Sequence, residues 1–207
     1  MSKTIAEVQT PGRRRRSEGK RTAILDAAEA LFLAEGYDRT SVDAIAARAQ
    51  VSKRTVYDHF GDKDTLFLRA LERRSDAVVD TVRVAIEDEL VPSRDLRDAL
   101  IAFGLRIVGQ TIASSDYLAF RGLDTQQRSA LRLSEEVRER PERMLEERFA
   151  GLAADGAIRA PDPALAVRHF TALTIGLALD EQRTRAQPPD LEAVVSDGVD
   201  AFLRAYR

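Results

Sequence analysis

The sequence predicts an all-α chain: an N-terminal three-helix domain of helix-turn-helix type, then a larger C-terminal helical bundle. Three observations carry that prediction. Apolar residues recur at spacings of three and four along most of the 207 residues, which is the period of one helical face. Glycine, proline and short polar residues divide these stretches where helix starts and stops belong. β-Branched residues are scattered and never alternate, so no segment reads as a strand.

Residues 1–19 contain Pro11, Gly12 and Gly19 without apolar periodicity and read as a flexible arm. Arg13, Arg14, Arg15 and Arg16 make it basic. Such a run is either a solvated tail or an arm that lies on phosphate or enters a minor groove. Ile24, Leu25, Ala28, Leu31 and Phe32 give one face to a helix over 21–35, and Gly36 stops it as a left-handed cap. Thr40 or Ser41 opens a second helix to about residue 48, with Thr40 and Asp43 fitting a capping box. Its inward residues are Val42, Ile45 and Ala49. A tight turn through Ala49, Gln50 and Val51 leads to Ser52, the N-cap of a short third helix ending near His59. Phe60-Gly61 breaks it, and Asp62 caps a fourth helix from Lys63 to about Glu89 that Pro92 ends. Beyond it, helices are predicted over 94–112, 116–127, 130–139, 141–155, 163–184 and 190–206. Pro141 and Pro163 are placed in first helical turns, where proline is tolerated. Asp155-Gly156 and residues 186–190 read as loops.

Composition narrows the function. Apolar residues at 44% and charged residues at 32% are the balance of a soluble globular protein. No run reaches the roughly 18 apolar residues of a membrane span, and no apolar run follows the N-terminal basic residues as in a secretory leader. A cytoplasmic protein is expected. With no cysteine and only His59 and His169, no disulfide, metal centre or cofactor is expected. Glu135-Glu136 and Glu146-Glu147 lie on polar helix faces and read as solvated charge. No phosphate-binding glycine loop is present, so an enzyme is not expected. The charge is uneven. Residues 1–75 hold 15 Lys/Arg against 11 Asp/Glu, net +4, whereas residues 76–207 hold 17 against 23, net −6. Such a chain can present a cationic end to phosphate.

The informative segment runs from Thr40 to Lys63. Two short helices are joined by a turn of about three residues. In the second, Val56 and Phe60 face inward, while Lys53, Arg54, Thr55, Tyr57 and His59 face away. A helix that enters a DNA major groove has this division: cations and hydroxyls for phosphates and base edges, anchored by few apolar residues. Helix starts at 41, 52 and 63 point N–H groups outward, and Lys63 adds a formal charge at the last of them.

The segment 21–68 resembles the N-terminal domain of the TetR family of bacterial regulators. The resemblance rests on Gly36-Tyr37, Thr40-Ser41-Val42, Ile45-Ala46, Ala49, Val51-Ser52, Thr55, Tyr57, His59-Phe60, Lys63 and Leu66. It implies an all-helical homodimer whose recognition helices enter major grooves of an operator and which a small molecule releases. Carried over by position, the DNA contacts are Ser41, Lys53, Arg54, Thr55, Tyr57, His59 and Lys63, with Arg48 a further phosphate candidate. Thr55 and Tyr57 would hold phosphates, and Lys53 and Arg54 would read bases, guanine above all. His59 has a competing role packed on the fourth helix. The resulting division is an arm over 1–19, a DNA-binding domain over 20–66 and a ligand-binding and dimerisation domain over 67–207. The stretch from Tyr117 to Leu179 resembles AefR-like members of the family.

Two sets of C-terminal residues are candidates. The final two helices carry apolar faces, and Val167, Leu173, Leu177, Val195, Val199 and Phe202 are assigned to a dimer interface, to internal packing, or to both. For a small-molecule effector, Phe103, Phe120, Phe149, Phe170, His169 and Thr174 are candidate pocket residues, with Arg106 and Arg121 as partners for an acidic group. The alternative for each aromatic is plain core, and the alternative effector is a protein partner.

Overall fold

The computed structural model describes residues 11–113, 134–185 and 187–207. Among them every regular element is helical. They fall into two compact units, the first reaching Arg73 and the second beginning at Arg74.

The first unit is built from α1 (Pro11–Glu35), α2 (Val42–Arg48), α3 (Lys53–Phe60) and the first turns of α4 (Lys63–Glu89). α1 begins ten residues before the expected start at 21, so residues 11–19 are helix and not a flexible arm. The physical reason lies in the same residues that suggested a tail. Arginine and lysine rank among the better helix formers. Arg15 and Arg16 are exposed on this extension. At its other end α1 stops where expected: Gly36 takes φ +83°, and its N–H donates to the Phe32 carbonyl at 2.9 Å.

α2 is capped by Ser41, whose Oγ accepts from the Ala44 N–H at 3.1 Å. Thr40 is instead buried, its hydroxyl reaching the Gly36 carbonyl at 2.7 Å and the Leu31 carbonyl at 3.2 Å. Ile24, Ala28 and Phe32 of α1, Ile45 of α2, Val56 and Phe60 of α3, and Leu66 and Phe67 of α4 close one core. Phe32 and Phe67 meet edge to face at 5.0 Å, a favoured ring geometry. Arg73 fastens α4 to α1 at the unit's far end, with Nε 2.6 Å from Glu29 and Nη2 2.6 Å from Asp26.

The turn between α2 and α3 contains the one non-glycine residue of positive φ among the described residues, Gln50 at φ 54°. A β-branched side chain is least tolerated there. Gln50→Val is expected to lower stability by about 1–2 kcal/mol, whereas Gln50→Gly relieves the conformation. Thermal melts of the two variants check the difference in sign.

The second unit comprises the remainder of α4, α5 (Leu96–Ala113), α6 (Glu135–Ala154), α7 (Pro163–Thr171), α8 (Leu177–Thr184) and α9 (Leu191–Tyr206). The expected helix over 116–127 and the first residues of 130–139 lie outside the described residues. Pro141, expected in the first turn of a helix over 141–155, sits instead inside α6. A proline in a helix leaves the carbonyl four residues earlier without its usual donor. Here that carbonyl belongs to Val137, and the Ser75 hydroxyl of α4 donates to it at 3.4 Å. A neighbouring helix thus takes up the group that proline frees.

The expected single helix over 163–184 is also revised. Between α7 and α8, Ala172–Gly176 winds as a π-helix, one residue wider per turn. Gly198 of α9 packs against this stretch: a Cβ at Gly198 would stand 2.1 Å from the Leu173 carbonyl oxygen. α9 also meets α5 closely, with a Cβ at Gly104 falling 2.8 Å from Val195 Cγ1. Phe149, Phe170 and Phe202 form the centre of the core with ring centroids 5.5–5.8 Å apart. Each fully buried phenylalanine contributes about 1.5–3 kcal/mol, so this cluster outweighs exposed ion pairs such as Arg97–Asp200 in holding the unit together. No helix among the described residues is long and apolar enough to cross a membrane.

Candidate nucleic-acid interface

The predicted contact residues converge on α2, α3 and the start of α4. α3 is amphipathic because its eight residues place Val56 and Phe60 four apart, and both are buried. The same periodicity turns Lys53, Arg54 and Tyr57 to the surface. Ser52 begins the helix, its Oγ accepting from the Thr55 N–H at 3.1 Å and lying 2.8 Å from the Thr55 hydroxyl. Two hydroxyls that share one hydrogen bond leave one O–H to donate elsewhere. Gly61 ends the helix at φ +78°. Asp62 then caps α4, accepting from the Thr65 N–H at 2.7 Å, and those bonds hold its carboxyl below the usual range.

The exposed side chains are not equivalent. The Arg54 side chain is 90% exposed, with the Asp58 carboxylate only at 4.0 Å. Lys53 carries a partner: its Nζ lies 2.8 Å from Oδ2 of Asp43 in α2. The hydrogen bond to Asp43, then its charge, raises the Lys53 pKa, so this ammonium is held charged. Tyr57 is 43% exposed. His59 is half-buried at the end of α3, its carbonyl accepting from Arg21 Nη1 at 3.4 Å. The Arg21 guanidinium also lies over the Phe60 ring at 4.7 Å. Both contacts place a cation at the C-terminal end of α3, where the helix dipole favours it. Ser41 and Arg48 are exposed at the two ends of α2.

Lys63 is half-buried at the first position of α4, with Nζ 4.1 Å from the centre of the Tyr37 ring. The Tyr37 hydroxyl donates to Asp64. Burial, and next the Asp64 carboxylate, push the Tyr37 hydroxyl well above its ordinary pKa. The ring therefore stays neutral and gives Lys63 a perch of fixed geometry. Tyr37, Asp43 and Arg21 are the functional neighbours that sequence reasoning missed. An aromatic directly after a helix-stopping glycine was the available signal for Tyr37; nothing in spacing links it to Lys63.

In the second unit the described candidate pocket residues take different places. Phe103, Phe149, Phe170 and Thr174 are buried at 0–1% exposure. The three rings pack on one another, with Phe103 6.1 Å and Phe149 5.5 Å from Phe170. They belong to the buried core, the alternative expected for each aromatic. Thr174 satisfies its hydroxyl within its own helix, on the Phe170 carbonyl at 2.7 Å. His169 is exposed, 2.7 Å from the Tyr206 hydroxyl. Arg106 is paired with Asp88 at 2.8 Å and Glu89 at 3.0 Å, so its charge is already answered. Phe120 and Arg121 lie outside the described residues. A cleft of about 180 Å³ lies elsewhere, among Leu90, Pro92, Leu96, Arg148, Leu152 and Ala157; it is smaller than the roughly 300–1,000 Å³ of a drug-sized site.

The candidate dimer residues divide. Val167, Val195, Val199 and Phe202 are buried in the chain's own core at 0–3% exposure, so they have no area left for a partner. Leu173 and Leu177 are exposed at 38% and 45%, joined by Leu165 at 38%.

Comparison with known proteins agrees with this architecture. Residues 24–70 match the family described as bacterial regulatory proteins, tetR family. Residues 122–207 match the AefR-like transcriptional repressor, C-terminal domain. The HTH-type transcriptional activator FasR of Mycolicibacterium smegmatis is 38% identical over 92 residues, which are 44% of this chain and 42% of FasR. The HTH-type transcriptional regulator HbdR of Aromatoleum sp. is 30% identical over 142 residues, 69% of this chain and 61% of HbdR. The chain thus spans less than two thirds of the length of either curated relative. A crystal structure from Mesorhizobium loti, assigned to the TetR family of transcriptional regulators, superposes with a TM-score of 0.79 at 28% identity. The superposition covers 92% of this chain and 98% of that one.

Proposed function

The chain belongs to the TetR family, transcription regulators with a DNA-binding helix-turn-helix domain and not enzymes, and from that premise we propose that it is a cytoplasmic homodimeric repressor released from a pseudo-palindromic operator by a small-molecule effector. The observation that carries the proposal is α3 itself. Arg54 and Tyr57 stand outward on a helix whose other side is anchored by Val56 and Phe60. Recognition helices of a twofold dimer meet half-sites about 34–36 Å apart. In this reading Arg54 and Lys53 meet base edges. Ser41, Arg48, Thr55, Tyr57, His59 and Lys63 meet the backbone, and Arg13–Arg16 extend the contact along phosphate.

Dimerisation is assigned to the second unit, through Leu165, Leu173 and Leu177, because each leaves a large apolar side chain in water. The effector acts within residues 67–207 and shifts the dimer toward a state whose half-site spacing no longer fits. It can do so only through its differential affinity for the two states. The sign of regulation follows from operator position: FasR is named an activator, and a dimer of the same kind placed over a promoter represses.

The test is fluorescence anisotropy with a duplex from upstream of the protein's own gene, a scrambled duplex and, where these tie, duplexes selected from a random library. Wild type is expected to prefer the native or selected duplex, and Tyr57→Ala combined with Lys63→Ala to lose at least tenfold in affinity. Failure of wild type to select any duplex would remove the proposal.

A further inference from the structure

The partner of Lys53 is Asp43, ten residues earlier in the first turn of α2. We propose that Asp43 is a positioning residue for DNA recognition: it orients the Lys53 ammonium toward base edges and cancels its charge toward the phosphate backbone. This rests on the DNA-binding reading above.

The geometry supplies the argument. Lys53 Nζ stands 2.8 Å from Asp43 Oδ2, and the two side chains are 49% and 68% exposed. The pair therefore lies on the surface that carries Arg54 and Tyr57 and is not buried beneath it. An ammonium has three donors. One is spent on Asp43, and two remain for acceptors such as the O6 and N7 of guanine. Recognition of a base edge uses those directed donors. Attraction to phosphate uses net charge, and a lysine paired with a carboxylate has less to give.

Phosphate contact carries no sequence information, whereas base contact does. Neutralising a cation at the start of the recognition helix therefore costs nonspecific binding more than specific binding. Arg54, one residue on, shows the contrast: at 90% exposure and 4.0 Å from Asp58, its charge stays available to any phosphate. An exposed pair is weak, so it biases Lys53 without locking it. The tie also restrains a flexible side chain before DNA arrives, which lowers the ordering cost of the specific complex.

Asp43→Asn tests the proposal. Anisotropy is measured from 50 to 200 mM salt on a random-sequence duplex and on a duplex that wild type enriches from a random library. On the random duplex, Asp43→Asn is expected to steepen the slope of log K against log salt by about 0.9, one added phosphate contact. Its preference for the selected duplex at 50 mM salt is expected to fall by about threefold or more, since the charge freed on Lys53 strengthens phosphate contact on the random duplex more than base contact on the selected one. Asp43→Asn with Lys53→Gln is expected to match Lys53→Gln alone. An unchanged slope in Asp43→Asn overturns the proposal, as does a steepened slope that persists when Lys53 is already glutamine. Asp43→Ser repeats the test should asparagine disturb the first turn of α2. Wild type that binds neither duplex at 50 mM salt would remove the DNA-binding reading and this proposal together. Wild type that binds both, with Asp43→Asn indistinguishable from it, removes the proposal alone.

Discussion

Gly198→Ala is expected to destabilise the protein by about 3 kcal/mol or more, the upper part of the range for overpacked cores. Most glycine-to-alanine changes inside helices do the opposite, because alanine is the better helix former by about 1 kcal/mol. Gly198 inverts the sign. Its Cβ would stand 2.1 Å from the Leu173 carbonyl oxygen and 2.8 Å from the carbonyl carbon. Both are backbone atoms, and no rotamer change removes them. α9 or the π-helical stretch must move bodily, and α9 carries Val195, Val199 and Phe202 into the core. For a chain of this size, the loss corresponds to a fall in thermal midpoint of about 6–12 °C. Gly109→Ala is the internal control. A Cβ there meets nothing within 4 Å among the described residues, so the identical change in α5 is expected to raise the midpoint. Melts followed by circular dichroism decide it. Equal effects at the two sites would mean that α9 does not sit where the Leu173 carbonyl places it.

The same contact shows where sequence reasoning ends. The helix-turn-helix was legible because its determinants are local. Ser52 caps the helix that follows it, Asp62 caps the next, and Gly36 and Gly61 stop helices within one turn of the residues they serve. Val56 and Phe60 face inward at a spacing that any helix obeys. The π-helical stretch was not legible. Residues 163–184 have an unbroken helical period, and the glycine packed against the stretch, Gly198, lies 22 residues after Gly176. Pro141 misled for a like reason, since the donor that makes it tolerable is Ser75 on another helix. The apolar face of α9 could be read, but not its owner: Val195, Val199 and Phe202 are consumed within the chain. At the interface, Lys53 and Lys63 were visible as cations. Their holders, Asp43 and Tyr37, belong to packing and not to spacing.

Arg54→Ala and Lys63→Ala are expected to weaken DNA binding in different ways, and the difference separates reading from positioning. Among the described residues Arg54 has the Asp58 carboxylate at 4.0 Å, and it is the second residue of α3, the helix whose N-terminal end is proposed to enter the groove. Its guanidinium can present two parallel donors to a guanine. Removing it should cost about 1–3 kcal/mol of discrimination at one base pair of each half-site, so that selected and singly mismatched duplexes come to bind alike there. Lys63 sits on the Tyr37 ring at 4.1 Å, held at one height at the start of α4, and a held point charge suits phosphate. Its loss should weaken every duplex by a similar factor and flatten the salt slope by about 0.9. Binding of both variants to a panel of single-mismatch duplexes, at fixed salt and across salt, makes the comparison. A position-specific loss for Lys63→Ala, or a uniform one for Arg54→Ala, would exchange the two roles. The geometry argues against that exchange, because Arg54, 90% exposed on α3, presents a fork that matches guanine, whereas Lys63 is a single ammonium held over the Tyr37 ring at the start of α4.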